Sequence, residues 1–102
     1  MTPQKWYRPS RCNYIYASYI DGDGTYEMGP VDWAVERTAT GLYTITHNLG
    51  HTNYVAVVVG MTGANYSEGA IQNYDANTIT VGVFTGGTVA DGRFALIVFE
   101  TQ

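Results

Sequence analysis

The sequence predicts an all-β chain, an antiparallel β-sandwich of about seven to eight short strands with a jelly-roll-like or lectin-like outline. Three observations predict it. No stretch keeps an apolar period of about 3.6 residues long enough to specify a helix. Runs of β-branched and aromatic residues recur along the chain, each closed by Gly, Asn or Asp. The closing residues fall at the roughly 8–12-residue spacing of short strands joined by tight turns. With 102 residues the chain makes one domain, read as an N-terminal arm over 1–12 and a sandwich over 13–102.

Taken in order, Asn13–Ile20 (NYIYASYI) is the first strand, and Asp21-Gly22-Asp23-Gly24 turns the chain back. Thr25–Met28 makes a short return before Gly29-Pro30. Val31–Arg37 alternates Val31, Trp33 and Val35 against Asp32, Ala34 and Glu36, and reads as a third strand. Leu42–Leu49 alternates too, with Tyr43, Ile45, His47 and Leu49 on one side and threonines and Asn48 on the other. Asn53–Gly60 (NYVAVVVG) differs because both of its sides are apolar. A strand of that kind is expected to be covered twice, by the opposing sheet and by a neighbouring chain. Tyr66–Asn73 is a weaker strand holding Gly69, and Asn73–Asn77 (NYDAN) reads as a turn. Thr78–Thr85 (TITVGVFT) is a strand in which Gly82 marks a bulge or a close backbone approach. After a glycine-rich loop, Phe94–Glu100 (FALIVFE) ends the domain as a central strand.

Only 14% of residues are charged while 45% are hydrophobic, against about 25% charged in an average soluble protein. That is little charge for covering a small domain, so some apolar surface is expected to be buried against other copies. The net charge of −4 and the absence of a basic stripe argue against nucleic acid. Cys12 stands alone, which leaves no intrachain disulfide and fits folding in a reducing cytoplasm. The start MTPQKWYRPSRC has no apolar signal core, and no run approaches the roughly 20 residues of a membrane helix, so no membrane insertion is expected.

Four segments carry a family resemblance. The strand and turn Tyr19-Ile20-Asp21-Gly22-Asp23-Gly24-Thr25 is followed by Arg37-Thr38-Ala39-Thr40-Gly41-Leu42-Tyr43-Thr44-Ile45-Thr46, then His47-Asn48-Leu49-Gly50 and Asn53-Tyr54-Val55-Ala56-Val57. This order resembles the C-terminal receptor-binding tip domains of bacteriophage and prophage tail fibres, and covers Tyr16 to Phe99. NYVAVVVG, TITVGVF and RFALIVFE also look like H-type lectin sandwiches. The resemblance implies a trimeric β-sandwich in the virion, assembled in the host cytoplasm, with other virion proteins and a host-surface glycan as partners. An excised tip and a stand-alone virion protein both fit.

Candidate chemistry is sparse. His47 and His51 flank a glycine turn, where a four-residue spacing does not bring two ligands together as it would on a helix. His47 is expected as a hydrogen-bonded interior residue near a subunit axis, and no metal or other cofactor is expected. Asp21-Gly22-Asp23-Gly24-Thr25 lacks the later oxygen ligands of a calcium loop and reads as a hairpin turn. No serine sits in a nucleophile elbow, and no spacing selects a carboxylate pair, so the chain is read as a non-enzyme. Nine tyrosines and two tryptophans are the main functional signal, since rings with a polar handle suit interfaces and sugar stacking. Strand tyrosines are ordinarily half-buried sheet residues. The ligand-binding candidates are therefore Tyr66, Asn73, Tyr74, Asp75 and Asn77, where rings adjoin amides and a carboxylate. The expected function is trimeric assembly and host-surface attachment. The alternatives are a virion decoration or connector protein without a receptor, or a carbohydrate-binding lectin.

Overall fold

The computed structural model describes residues 12–61 and 68–101. The described residues form nine strands and no helix: β1 (Cys12–Ile20), β2 (Tyr26–Met28), β3 (Ala34–Ala39), β4 (Leu42–Thr46), β5 (Tyr54–Gly60), β6 (Glu68–Tyr74), β7 (Thr78–Thr85), β8 (Thr88–Val89) and β9 (Phe94–Thr101). They build two sheets. Sheet A has the order β2-β1-β9-β5, and sheet B the order β3-β4-β7-β6, with β8 added beside the end of β7. Every pairing is antiparallel.

The two sheets pack through their alternating inner residues. Sheet A contributes Ile20, Phe94, Leu96 and Val98, and sheet B contributes Tyr43, Ile45, Ile79, Val81 and Val83, all fully buried. Tyr43 packs its ring 5.0 Å from Phe94 and donates its hydroxyl hydrogen to the Gly22 carbonyl at 2.7 Å. Burial holds its ionisation above the ordinary tyrosine value. A buried hydroxyl without such a partner would cost about 1–3 kcal/mol.

Several sequence expectations are met in position and others shift. The Asp21–Gly24 turn joins β1 to β2, and the acidic side chains serve it: Asp21 Oδ1 accepts the Gly22 N–H and Asp23 Oδ1 the Thr25 N–H, both at 2.9 Å. Phe94–Thr101 is central, held between β1 and β5. The third strand starts at Ala34, not Val31. A turn closed by the Trp33 N–H on the Pro30 carbonyl at 3.2 Å leaves Val31 fully exposed while Trp33 is buried. β4 stops at Thr46 because Asn48 adopts φ 55°, a left-handed conformation no strand continues through. Asn73 and Tyr74 end β6, so the turn spans only 75–77. Gly82 is neither a bulge nor a close backbone approach: a side chain comes near, with a Cβ there lying 2.6 Å from Gln72 Nε2, and the register shift falls on the partner strand, between Ile71 and Asn73. The expected arm lies outside the described residues except Cys12, which begins β1.

Candidate functional site

Two surfaces stand out, and the strand register builds both. One lies at the end of the molecule where β4 runs into β5 and β6 into β7. There the loop from His47 to Asn53 is hydrogen-bonded onto the 75–77 turn. The N–H groups of His47 and Asn48 donate to the Asn77 carbonyl at 2.8 and 3.1 Å, and that of Gly50 donates to the Ala76 carbonyl at 2.8 Å. Each histidine shapes this loop by the same device. The Leu49 N–H donates to His47 Nδ1, and the Asn53 N–H donates to His51 Nδ1, both at 3.0 Å. With Nδ1 accepting, the neutral ring carries its proton on Nε2. His47 Nε2 then lies 3.3 Å from the Tyr54 hydroxyl oxygen, and His51 Nε2 lies 2.6 Å from Glu100 Oε2.

Aromatic rings continue through this end. Tyr16, Trp33, His47, Tyr54 and Tyr74 follow one another with centroids between 5.0 and 5.9 Å apart. His47 is therefore a hydrogen-bonded interior residue, inside the sandwich and between the sheets. Burial pushes its pKa below 6.5. Burial, reinforced by the nearby charge of Asp75, raises Tyr54 to about 12. Tyr16 is also raised to about 12, by burial and by donating to Glu100 Oε1 at 2.7 Å. Burial alone would raise Glu100, but the bonds from Tyr16 and His51 outweigh it and hold the carboxyl below its ordinary value.

Of the predicted ligand residues, the structure sets Asn73 and Tyr74, which end β6, beside Asp75 and Asn77 on the β6–β7 turn. Tyr66 lies outside the described residues. Tyr74 is 56% exposed and, with Tyr54, Val55, Ala56 and Ile71, lines an open hollow of about 280 Å³. Asp75 is committed to the turn. Its Oδ1 accepts the N–H of Asn77, and the N–H and hydroxyl of Thr78, at 2.9, 2.7 and 3.1 Å, and these bonds hold its pKa down. Asn73 Oδ1 accepts the Tyr74 N–H at 2.9 Å. The polar groups at this turn therefore shape it first, and the Tyr74 ring is what it presents. Sequence reasoning missed Tyr54, the second wall of the hollow, although it opens the most apolar strand of the chain.

The second surface is the outward side of sheet A. The register of β1, β9 and β5 sets Ile15, Phe99 and Val55 in one row, Ala17, Ile97 and Val57 in the next, and Tyr19, Ala95 and Val59 in the third. None of the nine is charged, and only Tyr19 has a polar side-chain atom. Ile15 (63% exposed), Val55 (58%), Val57 (42%) and Val59 (49%) stand open to solvent. Met28 and Met61 extend the apolar surface at one rim, around a hollow of about 400 Å³. With the two methionines, the exposed part is on the order of 600 Å², the upper end of the largest patch on a typical monomer.

The far end of the molecule, by contrast, is closed by polar pairs. Arg37 meets Asp91 at 2.9 Å, Arg93 meets Asp21 at 3.0 Å, and Asp91 Oδ1 accepts the Gly41 N–H at 2.7 Å. Gly41 has φ 70°, and a Cβ there would sit 2.9 Å from the Val83 carbonyl oxygen, so the turn needs glycine. Fold and surfaces together define a two-sheet, sandwich-like antiparallel domain with one apolar outer side and an aromatic hollow at one end. No family model, curated protein or solved structure matches the chain.

Proposed function

We propose that this chain is a non-catalytic, self-assembling module of a virion appendage, a tail-fibre tip or similar part, serving trimeric assembly and host-surface attachment. The observation that carries the reading is the uncharged three-by-three grid on the outward side of sheet A. A sheet needs one apolar side to fold. A second apolar side on the same sheet gains stability only when another surface covers it. With Met28 and Met61 its exposed part is most of the roughly 800 Å² that each partner buries in a standard interface. Trimeric order and the virion setting rest on the sequence likeness of the Asp21–Gly24 turn and the Arg37–Thr46 hairpin to tail-fibre tips, and a lectin-like relationship rests on the likeness of NYVAVVVG, TITVGVF and RFALIVFE to H-type lectin sandwiches.

In this reading the attachment surface is the Tyr54–Tyr74 hollow, where a sugar ring stacks on Tyr74 beside the Asn73 amide. Three such weak sites on one assembly add avidity on a repetitive surface. Light scattering on the purified chain is the first test. A mass of three chains is expected, and a mass of one chain overturns the self-assembling module. A host-glycan array is the second, with binding that Tyr74→Ala abolishes. A trimer that binds no glycan but docks on another virion protein replaces attachment with the connector role.

A further inference from the structure

The open edges of the two sheets are not built alike. β2 is three residues long. β3 carries Glu36 and Arg37 and shifts register between Arg37 and Ala39. β6 carries Glu68 and Gly69 and shifts register between Ile71 and Asn73. Short length, charge and bulges are what keep an edge from pairing with another chain. β5 has none of these. Its seven residues, YVAVVVG, are uncharged, free of proline and in unbroken register, and among the described residues they pair with β9 alone. Among the described residues β1 offers a second open stretch, because β2 reaches only Tyr19 and Ile20.

The phase of the ladder shows which groups are open. The Thr101 N–H donates to the Asn53 carbonyl, and the Met61 N–H donates to the Arg93 carbonyl. Odd-numbered residues from 53 to 61 therefore bond to β9, and the amides and carbonyls of Ala56, Val58 and Gly60 point away from the sheet. The same alternation turns the even residues of β9 toward β1, so Ile15 and Ala17 carry the outward groups there.

We infer that the β5 edge of one copy pairs with the open β1 edge of the next, closing three sheets A into a ring with their apolar grids inside. The inference rests on the three-copy reading given above and specifies its contact. β1 and β5 both run antiparallel to β9, so they run parallel to each other. A rotation axis along the strands preserves that direction, which makes the new contact parallel and head-to-tail, the kind that closes a ring. Three strands from each of three copies make nine, close to the about eight at which side chains fill a barrel's interior. A two-fold β5–β5 contact would leave both grids and both β1 edges uncovered. The ring covers all of them at once.

Amide hydrogen exchange on the intact protein, read by NMR beside its mass in solution, tests the contact. The expected result is a mass of three chains, with the amides of Ala56, Val58, Gly60, Ile15 and Ala17 exchanging as slowly as those of Val57 and Val59. Ala56→Pro removes one outward N–H without touching the β9 ladder. It is expected to weaken association about tenfold, the order of one net backbone bond, while slow exchange at Val57 is kept. Three chains with fast exchange at Ala56, Val58 and Gly60 overturn the edge contact and leave the three-copy reading standing. Two chains protected at β5 and open at β1 overturn the ring in favour of a two-fold pair. A single chain in solution ends both. If Ala56→Pro fails to fold, the wild-type exchange pattern decides.

Discussion

The outward sides of the two sheets are made by the same backbone and by different chemistry. On sheet B, Glu36, Thr44, Thr80 and Asn73 stand in one row and Ala34, Thr46 and Thr78 in another, and only the third row, Leu42, Gly82 and Ala70, lacks polar side chains. On sheet A the equivalent rows are Ile15–Phe99–Val55 and Ala17–Ile97–Val57. Both sheets bury an apolar inner side, so the sandwich needs nothing more from either outer side. Threonines on sheet B keep the β-branched shape that suits a strand while leaving the surface wet. Valine and isoleucine have the same shape without the hydroxyl. Under the proposed assembly, sheet A's outer side answers a requirement that the single chain does not have.

The largest expected effect breaks that contrast directly. Ile97→Asp puts a charge at the centre of the grid, and its mass in solution should fall to one chain; the matching Thr80→Asp on sheet B should leave the mass unchanged. Equal behaviour of the two variants would remove the distinction between the sides. Next in size is the inner neighbour on the same strand. Leu96→Ala should cost about 2–5 kcal/mol of unfolding free energy in denaturant melts, the usual range for a buried Leu truncation, because Leu96 is fully buried where Ile97 faces out.

Acid acts on the end where the sheets meet. The pKa of His47 is lower folded than unfolded, so the unfolded chain binds more protons in that range, and stability is lost as pH falls from about 6.5. The Nδ1 proton gained would also displace the Leu49 N–H. Glu100 adds a second loss, in the same direction, as pH falls below its unfolded value of 4.5. Melting curves from pH 8 to 4 should show both losses, and His47→Asn should remove the upper one. The smallest effect is expected from Thr80→Val on the wet side, within about 0.5 kcal/mol. A rise in mass in that variant would mean that apolar character alone, without the open β5 edge, is enough for association.

Much of this fold is legible in sequence because its signals are local. NYIYASYI before Asp21-Gly22, the Thr/Tyr/Ile alternation of LYTIT and the glycine closing NYVAVVVG each fix a strand within a few residues. The turn at 30–33 was not legible, because Val31, Trp33 and Val35 alternate as a strand would. Part of the candidate site was legible as well: Tyr74, Asp75 and Asn77 share one turn in sequence. Tyr54 and the His51–Glu100–Tyr16 bonds were not, since their members come from β5, a loop, β9 and β1.

By itself the sequence determined where strands begin and turn, and that NYVAVVVG and FALIVFE are apolar on both sides. It did not determine which of the two sides is the inner one. When both alternating sets are apolar, periodicity carries no preference between them. The tertiary structure decided it through contacts far apart in the chain. Tyr54 turns inward to bond the Asp75 carbonyl at 2.7 Å, and a Cβ at Gly69 would lie 2.8 Å from Val58, which places Val58 against the opposing sheet. Val55, Val57 and Val59 are left outside for that reason, in rows with Phe99, Ile97 and Ala95 that only strand pairing could align.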